Sequence, residues 1–426
     1  MYSIKDVEIN GFWESKKIKC NFNKDVNIVI GKNGSGKTTF INLLISVLTG
    51  DIDSISEFDF RSIIVNLYKK GSIKKIEVYK NFNKNNILQN IDFKIEDKTF
   101  TFAFSTHFRK VRGEIIGFQK SFIDEADELS SELESLVDIS SLSVYRLRKE
   151  DNYEILQRGK REIVSPVDFK LKDMMNRLIR YQLEMTQKAN SISQDLKNEV
   201  LVSILYDGSR ISRTNEFNAK EEKEKLLKSY KQLNINNKST EFKIERHINN
   251  LEKVFKDMDS MKDMNNRSNA DEVMGRFFAS VESLRKTKAV FEMSVKAEKE
   301  RDKIFEPLNI FIGLLEEFID DKYFEINQDG LNVRNNDNKE VGVEKLSSGE
   351  KQLIILLCEA LLQRKTNSIY ITDEPELSLH IEWQRKIIPS VRKLNPNSQI
   401  IVATHSPEIA GYSKEKIISM RGLFNG

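Results

Sequence analysis

The stretch VNIVIGKNGSGKTTFINLLISVLTG, Val26–Gly50, decides the fold. VNIVI is a short apolar run bounded by turn residues, which reads as a buried strand. TTFINLLISVL has the apolar spacing of a helix and stops at Gly50. Between them, Gly31, four residues and then Gly36-Lys37-Thr38 fit the phosphate-loop pattern G-x-x-x-x-G-K-[ST]. The glycines let backbone N–H groups turn inward onto phosphate oxygens. Lys37 can reach the β and γ phosphates, and the Thr38 hydroxyl can ligate magnesium. A glycine-rich turn without function is the bland alternative, and the strand before and helix after weigh against it. Gly31, Lys32, Asn33, Gly34, Ser35, Gly36, Lys37, Thr38 and Thr39 are therefore the expected nucleotide-binding residues, with ATP and Mg2+ as cofactors.

Two later stretches supply the rest of a phosphate chemistry. SIYITDEPELSLH is an apolar strand that ends in two carboxylates, Asp373 and Glu374. One acid at a strand end is an ordinary cap. Two of them, after a buried strand in a chain with a phosphate loop, can divide the work. Asp373 can hold magnesium through water, and Glu374 can polarise the attacking water. IIVATHSPEI closes another apolar strand with His405, placed to sense the γ phosphate. Glu374 and His405 are the expected catalytic residues, and Thr38 and Asp373 the metal-binding ones. KLSSGEKQL is a polar turn entering a helix, with Glu350 in the first turn. It could be an ordinary capped start. A helix N-terminus with serine hydroxyls and a glycine is also an anion cap.

The organisation places these motifs at the two ends of the chain. SIKDVEI, KKIKCNF and VNIVI read as strands, and RSIIVNLY, KKIEVYK, IDFKIE and TFTFAF as a small antiparallel sheet. From about Ser165 to Asp320 the pattern is helical. Ile244, Ile248, Leu251, Phe255 and Met258 step by four and three, as in a coiled coil or helical hairpin. Phe277, Val281, Leu284, Phe291 and Val295 continue such a seam, with Lys288 interrupting it. The breaks at DGSRISRTN and LNINNKST divide this region into pieces, so a helical insertion and not one long arm is expected, since a helix of roughly 30 residues reaches only about 45 Å. Strands alternating with helices return after Asp320, beginning with a hairpin at YFEINQDGLNV. Three segments follow: an N-terminal lobe over 1–164, a helical arm over 165–320 and a C-terminal lobe over 321–426.

Composition excludes little but narrows the setting. Among 426 residues, 39% are hydrophobic and 31% charged, which suits a soluble, cored protein with solvated helices. The net charge of +3 gives no global argument for nucleic acid. The basic run FRKVR, Phe108–Arg112, is a local candidate, although such runs are usually solvated faces. No apolar run is long enough for a bilayer and no signal peptide opens the chain, so a cytoplasmic protein without a membrane partner is expected. Cys20 and Cys358 lie in apolar stretches and read as buried thiols. His107, His247, His380 and His405 do not make an HNH or zinc cluster.

In order, GKNGSGKTT, LSSGEKQ, DEPELSLH and ATHSPE resemble the ABC-type ATPase class, which includes SMC, RecF and OLD-family heads and transporter engines. The resemblance covers roughly the first and last quarters and says little of the helical middle. It implies an α/β fold: an ABC-type P-loop ATPase head, with a mostly parallel core sheet and an antiparallel β-subdomain, split by a helical coiled-coil-like insertion. In that class two heads meet head-to-tail, and the signature turn of one caps the γ phosphate held by the other. Here Ser347, Ser348, Gly349 and Glu350 would act in trans, so ATP would drive a homodimer or higher oligomer. The wording DEPELSLHIEWQ with THSPEI looks most like stand-alone ATPases of bacterial phage defence. AriA-type ATPases of PARIS systems are the first model, and PtuA-type ATPases of Septu and retron systems the next.

The chain departs from the class pattern in three places. Ser348 replaces a glycine and Glu350 a glutamine of the LSGGQ-like signature. His380 stands where the segment after the carboxylates usually ends in aspartate, beside Ser378. Trp13 stands where an arginine would help bind nucleotide. For the glutamine loop, Gln119 and Arg146 are the candidates. The sequence stops soon after the histidine strand, leaving no room for a TOPRIM domain, so any nuclease is expected on a separate effector of TOPRIM or HNH type. Abortive-infection defence, with DNA or a phage protein as trigger, is the expected function. The alternative is a RecF- or SMC-like repair or chromosome-maintenance ATPase that clamps DNA.

Overall fold

The computed structural model describes the chain outside residues 105–109, 112–113, 116–119, 143–153, 158–159, 164, 204–217, 233–237, 263–269, 328–329, 365–367 and 425–426. It divides into two compact units, Met1–Arg180 with Leu308–Gly426, and Tyr181–Pro307.

From the N-terminus run β1 (Ser3–Phe12), β2 (Lys16–Asn21), β3 (Val26–Ile30), α1 (Lys37–Thr49), a short helix Ile52–Glu57, β4 (Ser62–Lys69), β5 (Ser72–Phe82), β6 (Leu88–Ile95) and β7 (Lys98–Ala103). Six of these strands form an antiparallel sheet in the order β2-β1-β4-β5-β6-β7. Alternation decides its faces. Ile63, Val65 and Leu67 of β4, Ile76 and Val78 of β5, and Ile91, Phe93 and Ile95 of β6 are buried, and their neighbours in sequence are less so.

β3 belongs to a second sheet, together with four strands from far along the chain. Its order is Ile139–Leu142, Ile369–Asp373, Gln399–Thr404, β3 and Ile417–Ser419, and each pairing is parallel. Successive residues of β3 and of the 369–373 and 399–404 strands are buried, so both faces are covered. Ile369 and Ile371 pack in the same core cluster as Phe40, Ile41, Leu43 and Leu44 of α1. On the other face Tyr370 donates its hydroxyl to the Leu356 carbonyl, 3.3 Å away, on the helix Ser348–Leu362. The two sheets are joined by the buried Gln399 side chain. Its Oε1 accepts from the Ile4 N–H at 2.7 Å, and its Nε2 donates to the carbonyls of Ile4 and Asn23, both at 2.8 Å. The fold class expected from the sequence is the one observed: an α/β head with a parallel core sheet and an antiparallel subdomain, interrupted by helices. The expected hairpin is also present, Lys322–Asn327 against Gly330–Asn335, with Glu340–Val341 as a third strand.

The second unit is helical. It holds the helices Ala219–Gln232 and Lys238–Lys262, residues 181–203 of the helix Pro166–Ser203, and residues 270–307 of the helix Ala270–Phe318. Ile244, Ile248 and Leu251 are buried around Leu226 and Leu284, and the Phe255 ring meets Phe277 edge-on at 5.4 Å. The seam is therefore a packed core. The helices Pro166–Ser203 and Ala270–Phe318 run 38 and 49 residues. The charged run Lys296–Lys303 hides the periodicity, and Pro307 sits inside the helix although it lacks an N–H. Among the described residues no helix is long and apolar enough to cross a membrane.

Candidate active site

Three adjacent strands of the parallel sheet, 369–373, 399–404 and β3, end along one edge. The C-terminal edge of such a sheet is where α/β proteins place ligands. β3 delivers the phosphate loop there, the 369–373 strand delivers Asp373 and Glu374, and the 399–404 strand delivers His405. Register fixes the meeting, since Asp373 pairs with Ala403 and Thr404 with Ile30.

The loop geometry follows from its glycines. Gly34 and Gly36 have φ of 76° and 89°, a region that L-residues with a Cβ avoid. A Cβ on Gly34 would meet nothing within 4 Å, whereas one on Gly36 would lie 2.8 Å from the Trp13 ring. Gly36 is the N-cap of α1 and makes no side-chain cap bond, so the backbone donors of the first turn keep their direction toward the loop. Lys37 is buried and donates to the Gly31 carbonyl at 3.2 Å. Its ammonium lies 3.6 Å from Glu374 Oε1 and contacts His405 Nε2. Thr38 Oγ1 donates to Asp373 Oδ2 at 2.8 Å, so the two candidate magnesium ligands already meet. This donor set, a hydroxyl and a carboxylate oxygen beside a buried ammonium, fits a magnesium–triphosphate group.

The electrostatics separate the roles. Burial, and next the neighbouring Glu376 carboxyl, push the Glu374 acid up to about 7. Burial and then the Lys37 charge hold His405 below the ordinary histidine range. His405 Nε2 meets both the Lys37 ammonium and, at 3.3 Å, Glu374 Oε1. Glu374 has φ of 50°, a left-handed conformation unusual for glutamate, at the point where the chain leaves the strand. Its N–H donates to the Ala403 carbonyl at 2.8 Å, which holds that turn against the histidine strand.

The serine turn is a separate feature. Ser347 caps the helix Ser348–Leu362 and forms a reciprocal capping box with Glu350: Ser347 N–H to Glu350 Oε2 at 2.7 Å, and Glu350 N–H to Ser347 Oγ at 3.3 Å. Glu350 also pairs with Lys322 at 2.8 Å. The glutamate in place of the usual glutamine is therefore matched by a lysine from the preceding hairpin. A Cβ on Gly349 would lie 2.5 Å from the Ser378 carbonyl, so this glycine is required for the helix Ser348–Leu362 to pack on the turn that follows the carboxylates. Among the described residues, no hydrogen bond or ion pair joins 347–350 to the phosphate loop.

Ser378 adopts φ of 66° in that turn, and His380 caps the helix Ile381–Leu394 by accepting the Glu382 N–H at 3.4 Å. Among the described residues, neither makes a hydrogen bond or ion pair with Lys37. Trp13 packs its ring edge on Gly36 and stacks 6.2 Å from Phe424, with the Lys16 ammonium 4.8 Å above it. Gln119 and Arg146 lie outside the described residues, as does FRKVR apart from the backbone of Lys110–Val111. Glu376 escaped sequence reasoning, although it lies within DEPELS. Its Oε1 accepts from Thr404 Oγ1 at 2.5 Å and from the N–H groups of His405 and Ser406 at 2.8 and 2.9 Å. Its acidic neighbours in the motif were the only available signal. Lys322, the partner of Glu350, carried none.

With this geometry in place, comparison with known proteins defines the class. Residues 1–410 match the family model described as AAA ATPase domain, and the chain belongs to that family. It is 22% identical over 429 residues to the Retron Ec83 probable ATPase of Escherichia coli, covering 95% of this chain and 69% of that protein. It is 35% identical over 79 residues to the Retron Vc95 probable ATPase of Vibrio cholerae serotype O1 biovar El Tor, covering only 16% of this chain and 15% of that one. Among solved structures it is similar to a Pyrococcus furiosus Smc head domain bound to the C-terminal domain of ScpA, with 15% identity and a TM-score of 0.44, covering 98% of this chain and 93% of that one. A Pyrococcus yayanosii Smc head with coiled coil and joint gives 15% identity and a TM-score of 0.41, covering 98% and 95%.

Proposed function

We propose that this chain is the ATP-hydrolysing subunit of a bacterial phage-defence complex, working in the cytoplasm with a separate effector. The observation that carries the ATPase part is the convergence of Lys37, Thr38, Asp373, Glu374 and His405 on one sheet edge. Lys37 would bind the β and γ phosphates, and Thr38 and Asp373 would hold magnesium, which neutralises charge between those phosphates when bound. Water attacks the γ phosphorus, the bond to the β-phosphate oxygen breaks, and Glu374 orients the water and takes its proton. His405, held beside Lys37, is placed to sense the γ phosphate.

The capped helix N-terminus at Ser347, with the Ser347 and Ser348 hydroxyls and Gly349, is an anion cap, which supports the reading that these residues cap the nucleotide of a second copy. A phosphate held by two chains fastens them, so ATP assembles the heads and hydrolysis releases them. The retron relatives support the defence setting. A separate effector of TOPRIM type, as in the PARIS model, or of HNH type, as in the Septu and retron model, would complete the complex. The test uses Lys37→Ala and Glu374→Gln. The first should abolish ATP binding, and unchanged nucleotide affinity would sink the phosphate-loop assignment. The second should bind ATP without turnover and accumulate as a dimer. Purified with its native flanking genes, the Glu374→Gln protein should carry a small nuclease. Recovery of DNA and repair proteins alone would instead favour a DNA clamp.

A further inference from the structure

We propose that Glu376 is a positioning residue for hydrolysis, gathering the end of the histidine strand onto one carboxylate oxygen and so setting His405 and Glu374 against Lys37. The inference rests on the ATPase reading of the site.

The geometry is concentrated. Three donors from consecutive residues converge on Glu376 Oε1: the Thr404 hydroxyl at 2.5 Å, the His405 N–H at 2.8 Å and the Ser406 N–H at 2.9 Å. Thr404 Oγ1 also accepts the Ser406 N–H at 2.9 Å, which closes the turn on itself. The His405 N–H further approaches Glu374 Oε2 at 3.3 Å, so one backbone donor is shared between the two glutamates. The side-chain end of the same residue, His405 Nε2, lies 3.3 Å from Glu374 Oε1 and touches Lys37. His405 is therefore held at its backbone by Glu376 and meets the reacting groups at its ring.

Beyond this point the strand end is braced on its outer side. Ser406 Oγ donates to Gln384 Oε1 at 2.7 Å and accepts the Glu408 and Ile409 N–H groups. That brace does not depend on Glu376. Removing the carboxylate would thus free the two or three residues nearest the chemistry while the helix start beyond them stays anchored. Glu376 sits three residues from Asp373 with buried Pro375 between Glu374 and itself, so the backbone carries its position directly into the carboxylate turn.

The experiment compares Glu376→Ala with Glu376→Gln, whose amide oxygen keeps an acceptor for the three donors. Hydrolysis is followed at saturating ATP, and affinity by titration of a fluorescent ATP analogue. Glu376→Ala should lower kcat by about 10- to 100-fold, the scale of a misplacement near 1 Å, with nucleotide affinity retained. Glu376→Gln should recover most of that loss. Full activity in Glu376→Ala, or parallel loss of affinity and kcat with no recovery in Glu376→Gln, would overturn the proposal. If Glu376→Ala does not fold, Thr404→Val removes one donor and should give a smaller kcat loss at unchanged affinity; an unaltered kcat there counts against it equally. A wild-type protein with no hydrolysis would instead refute the ATPase reading. The positioning claim is then decided by the His405 imidazole NMR resonances, which should move in Glu376→Ala and stay in place in Glu376→Gln.

Discussion

Replacing Gly349 with alanine separates packing from helix propensity by sign. Gly349 lies in the first turn of the helix Ser348–Leu362, where alanine is intrinsically better by up to about 1 kcal/mol. The new Cβ, however, would stand 2.5 Å from the Ser378 carbonyl oxygen, about 0.9 Å short of ordinary contact at 3.4 Å. That oxygen is backbone, in a turn whose Ser378 already has φ of 66°, so it has little freedom to withdraw. Overpacking of this kind costs about 1 to 3 kcal/mol, and the propensity gain offsets only part of it. We expect Gly349→Ala to lose about 1 to 2 kcal/mol in urea unfolding. Trp383 is a built-in reporter, because its ring lies 3.9 Å from the same Cβ position. Its fluorescence should change in the folded variant, and hydrolysis should fall as the turn behind Glu374 and Glu376 is displaced. A variant as stable as wild type, or more stable, would refute the packing argument and leave propensity in charge.

Two further outcomes test the surrounding head. Lys80 is buried, donates to the carbonyls of Ser56 and Phe58 at 2.9 and 2.5 Å, and has its pKa pushed down by burial from 10.5 to about 8. Below about pH 8 the folded state carries the cost of a buried charge. Between about 8 and 10.5 the unfolded state binds more protons, so the stability of wild type relative to Lys80→Met should rise through that window, by up to about 3 kcal/mol; a flat difference would contradict it. Burial also pushes the Cys20 thiol up to about 12 and Cys358 higher still. Neither should react with an alkylating reagent in the native protein near neutral pH, and both should react in denaturant; rapid native labelling would show that the head opens.

The parts of this molecule that were legible in the sequence are those whose signal is local. The phosphate loop requires glycines at fixed offsets between a strand and a helix, and Gly34 and Gly36 have the positive φ that this implies. The strands ending at Asp373 and Thr404 were readable because both faces of a parallel sheet are apolar, leaving the polar residues at their ends conspicuous. Pairings across long separations left no such trace. Glu376 reads as one more acid in an acidic motif until Thr404, His405 and Ser406 are brought to it. Glu350 reads as a departure from a signature until Lys322 arrives beside it. The full extent of the helix Ala270–Phe318 is hidden because a seam interrupted by Lys288 and by the charges of 296–303 loses its periodicity, although the backbone continues through them.

The interior position of β3, paired on both edges, governs how this chain comes off the ribosome. Its two neighbours in the sheet are Gln399–Thr404 and Ile417–Ser419, and Asn27 and Ile400, whose side-chain amide and carbonyl meet, are 373 residues apart. At 5–20 residues per second, about 20 to 75 s of translation separate the strand from its first partner. Throughout that interval an apolar segment, VNIVI, lacks the strands that match its two hydrogen-bonding edges. Such an edge is a template for wrong pairing, with another nascent chain or with a neighbouring strand. Completion of the nucleotide cradle is therefore among the last events of biogenesis, and production of this protein should respond to slower synthesis, lower temperature and the supply of chaperones that shield unpaired strands.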